Sequence, residues 1–229
     1  MPIDETSLSG TIDAVDARLV EQEALPEEQR DRVVTFLLGR QVRWGRELGT
    51  FAPFPSEFEQ GVRLFSGERL RTRLATLNVL SLESARILAL LAGERTDVRN
   101  ALAQTSIALG HTCFAVSHCV VGECAHSSIA YMRDAASDRS GRRRNWIERH
   151  LRVLGAQRDG TGRWRRFPFY YTLLALLDVG TPSAYAELEY ARPACLRVIG
   201  RASDSPYADR RRRVVERTLR LADGSARWP

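Results

Sequence analysis

Residues 151–177 read LRVLGAQRDGTGRWRRFPFYYTLLALL. An apolar stretch through Leu151 and Leu154 ends at Gln157, a turn follows at Gly160, and Phe167-Pro168-Phe169 opens a second apolar run. The pattern spells helix, reversal, helix. Glutamine can satisfy the orphan polar groups of a helix end, glycine permits the reversal, and the aromatic rings wedge between successive helices. The same order occurs earlier as Leu38-Gly39-Arg40-Gln41, then Gly45, then Phe51-Ala52-Pro53-Phe54. Two copies of one hairpin unit predict an internal repeat.

Helical spacing extends outward from these copies. Pro26 opens a segment whose Val33, Val34, Phe36, Leu37 and Leu38 build an apolar face, and proline suits a first helical turn. Ser81 is placed to cap a helix from Leu82 to Ala92, Thr96 one that runs to about Ala115, and Ser140 one carrying Trp146, Ile147, Leu151 and Leu154. Thr181-Pro182 and Ser205-Pro206 are cap-then-proline starts. Arg192-Pro193 predicts a further start, because the residue before proline is biased away from helical geometry. The one β-like stretch, VVGEC, is too short to found a sheet. The expected fold is all-α, a single domain of stacked helical hairpins over residues 26–229, preceded by a polar segment 1–25 with room for a helix.

The second copy resembles the glutamine–tryptophan repeat of squalene cyclases and the related protein prenyltransferases, in which an apolar helix runs into Gln, Asp-Gly and Trp. The matching positions are Gln157, Asp159-Gly160 and Trp164, with one or two extra residues before the tryptophan, and the first copy has Phe51 where tryptophan is expected. The resemblance covers about thirty residues and implies an α/α-toroid-like stacking of helices around an apolar cavity. The chain departs from that family in its shortness, in lacking an Asp-x-Asp-Asp motif, and in lacking a counterpart of the prenyltransferase zinc ligands. The implication therefore reaches architecture rather than activity.

Composition narrows the classes. The chain has 229 residues, 44% hydrophobic, enough for a real core. No run approaches the ~18 consecutive apolar residues of a membrane span, and the acidic, polar start MPIDETSLSGTIDAVD is unlike a signal peptide, so a cytoplasmic location is expected. The net charge is +6, and every basic residue is arginine. Arg142–Arg144, Arg163–Arg166 and Arg210–Arg213 concentrate that charge in the C-terminal half, where guanidinium groups suit a nucleic acid or an acidic protein. No Walker or dinucleotide-type glycine loop is present.

Six of the chain's eight cysteines and histidines fall inside HTCFAVSHCVVGECAH: His111, Cys113, His118, Cys119, Cys124 and His126. A helix end, a turn containing Gly122 and a new helix from about Glu123 would gather them. Three chemistries fit. Cys119, Cys124 and His126 can supply three ligands to zinc or iron, with Cys113, His118 or His111 as the fourth. Alternatively Cys124, in a first helical turn, is a nucleophile with His118 or His126 as base and Glu123 orienting it. Or the cysteines are small buried hydrophobes at a tight helix contact. Cys195, alone, reads as packing. The aromatic group Trp146, Trp164, Phe167, Phe169, Tyr170 and Tyr171 reads as the wall of an apolar cavity, as a platform that stacks on bases while adjacent arginines meet phosphates, or as core with a solvated rim.

Together these readings predict a helical domain that takes an apolar or isoprenoid-like small molecule in an inner groove, with the Cys/His turn as a metal or reactive site at its mouth. The alternative is a helical-repeat scaffold for nucleic acid or an acidic protein. Exposed apolar termini of such an array would favour homo-oligomers.

Overall fold

The computed structural model describes residues 3–138, 140–200 and 204–222. Eleven helices and one two-stranded hairpin make up these residues, so the fold is all-α. At its centre lies α4 (Arg73–Ala92), buried on every side from Ala75 to Leu88. It packs most extensively on α7 (Cys124–Ser137), and also on α1 (Leu8–Val20), α2 (Glu27–Arg40) and α5 (Thr96–Leu109). Beyond α7 lie α8 (Arg144–Gly155) and α9 (Phe169–Val179), and α10 (Pro182–Ile199) and α11 (Ala208–Ala222) close the far side. Two short helices, α3 (Pro55–Gln60) and α6 (Cys113–Ser117), and the antiparallel pair β1 (Val62–Arg63) and β2 (Arg69–Leu70) complete the chain.

Both helices carry small buried residues, Ser81, Ser84 and Ala85 on α4 and Ala125, Ser127, Ser128 and Ala130 on α7, which suits close packing. By length and composition α4 would also cross a membrane, but 78% of its apolar window is buried against the rest of the fold. A core helix that is apolar all round passes the same test.

Four expected boundaries move. The helix expected from Ser81 starts nine residues earlier, because Thr72 caps it by accepting from the Ala75 N–H. Ser81 lies inside the helix, and its hydroxyl accepts from Phe51 N at 2.9 Å. The upstream half is buried all round and so shows no single apolar stripe in sequence. The helix from Thr96 stops at Leu109, where the Thr112 hydroxyl donates to the Leu109 carbonyl, and the chain restarts as α6. Ser140 caps nothing. It closes a turn on Asp138, and α8 begins at Arg144. Pro193 lies within α10 and does not begin a helix. Ala184, Leu188, Ala191, Ala194 and Cys195 form one buried stripe across it, and that packing outweighs the local bias of the pre-proline residue.

Each of the two echoing segments carries an isolated antiparallel bridge, spanning residues 41–51 in the first and 158–164 in the second. After α2, Gln41 pairs with Phe51 in an isolated antiparallel bridge; after α8, Arg158 pairs with Trp164. Phe51 and Trp164 are both buried, and each leads through a proline into the next helix. The Gln41 amide donates to the Ala101 carbonyl of α5 at 2.8 Å, fastening the first turn to its neighbour. The segment 1–25 contributes α1, whose Leu8, Ile12 and Val15 belong to the common core. The Glu57 carboxylate holds the start of α1, accepting from the Leu8 and Ser9 N–H groups at 3.2 and 2.7 Å, where the helix dipole favours negative charge.

Candidate metal centre

The chain between α5 and α7 gathers three thiols. Cys113 is the first residue of α6, Cys124 the first of α7, and Cys119 lies in the turn between them. Their sulfur atoms all lie within 4.8 Å of one another. The Cys113 and Cys124 sulfurs are 3.6 Å apart. That is much longer than a disulfide, ~2.05 Å. It is close to the ~3.8 Å between two thiolates on one tetrahedral zinc with ~2.3 Å bonds.

Several anchors place the thiols. Trp146 of α8 donates from its indole to the Ala115 carbonyl at 2.5 Å and pins α6. His118 ends α6 in the left-handed region, φ +52°, an uncommon conformation for a residue with a Cβ. This reversal brings Cys119 back towards Cys113, and the Ser128 hydroxyl of α7 holds the Cys119 carbonyl at 2.7 Å. Gly122 turns the chain again at φ +54°. Glu123 then fixes the start of α7 to the start of α4, its carboxylate accepting from the Arg71 and Thr72 N–H groups at 2.5 and 2.8 Å. Such charge-assisted bonds to an orphan helix terminus are strong ones.

The site opens outward. Cys113 is exposed, Cys119 and Cys124 are partly so, and the flanking Val116 and Val121 are 64% and 68% exposed. The three thiols compete for charge. A backbone N–H from Val121 lowers the Cys119 thiol below its usual range. Burial, reinforced by the adjacent thiols, pushes Cys124 up to about 12. Crowded thiols resist simultaneous ionisation, and a bound cation is what reverses that preference.

The histidines lie elsewhere. His118 turns inward, its Nδ1 3.3 Å from Nδ1 of His150, and both rings pack on Trp146. His126 is two positions beyond Cys124, its Nδ1 buried without a partner. Neither has a ring nitrogen within the thiol group. His111 is exposed. Cys195 is wholly buried in α10. Glu123, expected to orient a histidine base, has its oxygens on the Arg71 and Thr72 amides just before α4, though its charge also faces His126.

The aromatic group divides in three. Trp146 and Phe167 flank His150, while Trp164 packs on Phe169, which in turn meets Tyr170 edge-on. Five of the six are buried and Tyr170 is half-buried. Tyr171 points the other way, to a polar centre that no sequence motif announced. There, Arg133 of α7 reaches Asp16 of α1 at 3.1 Å, Glu83 of α4 at 2.6 Å and Asp178 of α9 at 2.7 Å. Arg86 pairs with Glu83 at 2.6 Å and also with Asp16, and the Tyr171 hydroxyl donates to Glu83. Beside it, Ser9, Asp13, Phe65 and Leu80 help line a cavity of about 10 Å³, room for roughly one water molecule. The one clue in sequence was Glu83 and Arg86, three residues apart in a stretch, 74–92, with no other charge.

The Arg210–Arg213 run is largely engaged within the fold. Arg210 meets Asp13 at 2.6 Å, Arg211 the Ser66 carbonyl at 2.7 Å, Arg212 Asp209 at 2.6 Å, and Arg213 pairs with Glu21. Carboxylates of Asp13, Glu21 and Asp209 thus offset three of the four positive charges at this helix start. No protein-family model, curated protein or solved structure matches the chain.

Proposed function

We propose that this is a helical metal-binding domain that holds one zinc ion on the thiolates of Cys113, Cys119 and Cys124. The observation that carries the reading is the convergence of three sulfurs from two helix starts and the turn between them, within 4.8 Å. Soft thiolate donors select zinc, copper(I) and iron–sulfur clusters over hard cations. A cubane or rhomb of iron and sulfide takes four cysteines. Among the described residues the site offers three, which favours a single ion.

Three protein ligands leave the fourth tetrahedral position to water or an incoming donor. The exposure of Cys113, Val116 and Val121 supports a fourth position open to solvent, where a small ligand could exchange. Neither the buried aromatic group nor the internally paired Arg210–Arg213 run offers a comparable convergence of unengaged groups.

Elemental analysis of untagged protein, purified under reducing conditions, tests the reading. About one zinc per chain is expected, lost on Cys124→Ser. Metal-free protein that takes up neither zinc nor copper(I) would end it.

A further inference from the structure

We infer that Cys113 and Cys124 are also an oxidation site for hydroperoxides, and that the disulfide they form releases the ion. The release rests on the metal reading above; the disulfide does not. Of the three thiols, these two make the 3.6 Å sulfur–sulfur contact. Closing it to a bond of ~2.05 Å takes a movement of about 1.5 Å. The intervening turn can supply that movement. Gly122 reverses the chain at φ +54°, and no neighbouring atom comes within 4 Å of where a Cβ would stand.

Access sets the order of events. Cys113 is exposed and Cys124 half-buried, so the Cys113 thiolate attacks the terminal peroxide oxygen. The O–O bond breaks, water or an alcohol leaves after proton uptake, and Cys113 becomes a sulfenic acid. The Cys124 sulfur then attacks the Cys113 sulfur and expels hydroxide, which leaves as water. Two sulfurs lose one electron each and the hydroperoxide gains both. A thiol reductant reverses the step by exchange. Cys119 stays reduced, and one remaining thiolate is too few ligands to keep zinc. Buried Cys195 takes no part.

The test treats metal-free and zinc-loaded protein with a slight excess of hydrogen peroxide, then counts thiols in denaturant and maps peptides. In the metal-free protein the four cysteines should fall to two free thiols, with one Cys113–Cys124 cross-link. Cys119→Ser should still form the cross-link, and Cys113→Ser should not. The zinc-loaded protein should release about one equivalent, recovered on reduction. A Cys119 cross-link, or sulfinic acid at Cys113 with no cross-link, overturns the inference. If the cross-link forms in a protein that never takes up zinc, the oxidation site stands and the metal reading falls. If zinc binds but stays after the cross-link forms, the release step is wrong.

Discussion

Acid should unfold this protein partly through one histidine. His150 is wholly buried in α8, stacked on Trp146 with ring centroids 4.9 Å apart and edge-on to Phe167 at 5.8 Å. Its Nε2 has no hydrogen-bond partner. Burial, with a smaller contribution from the charge of His118, lowers its pKa from 6.5 to about 3. The folded state therefore resists a proton that the unfolded chain accepts. Above pH 6.5 both states are neutral there and the full contribution to stability is present. It is lost as pH falls through 6.5 towards 3. Linkage converts the difference into about 2 kcal/mol lost at pH 5 and about 3 kcal/mol at pH 4. Urea unfolding of reduced, metal-free protein at half-unit pH steps, with His150→Phe in parallel, isolates the effect. Carboxylates such as Asp16 affect both curves alike and cancel in the difference. The wild type should lose about 3 kcal/mol more than the variant between pH 7 and pH 4. Parallel curves would mean that His150 titrates alike in both states, and the burial argument would fail.

Arg133→Met should destabilise the fold by about 3–5 kcal/mol in urea titration, because it leaves Asp16 and Glu83 buried with half their counter-charge; a loss under 1 kcal/mol would show that the network relaxes. Gly49→Ala should cost at least about 2 kcal/mol in the same assay, since its φ is +87° and a Cβ would stand 2.5 Å from the Gln104 carbonyl oxygen. Zinc affinity should rise with pH by about one decade per unit for each thiol that must give up a proton, and Cys124, raised to about 12, supplies at least one such decade across the neutral range. A flat profile in competition titrations would remove Cys124 from the ligand set.

How much was legible in sequence depended on distance along the chain. The thiol group could be anticipated because Cys113, Cys119 and Cys124 lie within one turn and its two flanking helices. The exclusion of the histidines could not. Successive helical residues project about 100° apart, so Cys124 and His126 face nearly opposite directions, and the left-handed backbone at His118 is invisible in composition. Each glutamine–aromatic segment holds one isolated bridge, Gln41–Phe51 in the first and Arg158–Trp164 in the second, where the paired residue is one past Gln157. The buried ionic centre was beyond reach for the opposite reason. Arg86 and Asp16 are 70 positions apart and Arg133 and Asp16 are 117, and only the packing of α1, α4, α7 and α9 brings them together. Helix starts followed the same rule. Thr181 caps α10 through a residue three positions on, whereas Glu57 reaches α1 across 48 positions, and α4 and α10 run through Ser81 and Pro193 because long-range burial decides there.

X-ray absorption at the zinc edge of the reconstituted, reduced protein tests the central claim most directly. Three sulfur scatterers at ~2.3 Å and one nitrogen or oxygen at ~2.0–2.1 Å are predicted, with one sulfur lost in each of Cys113→Ser, Cys119→Ser and Cys124→Ser. A shell of nitrogen and oxygen alone, or a sulfur count unchanged by these substitutions, would contradict it.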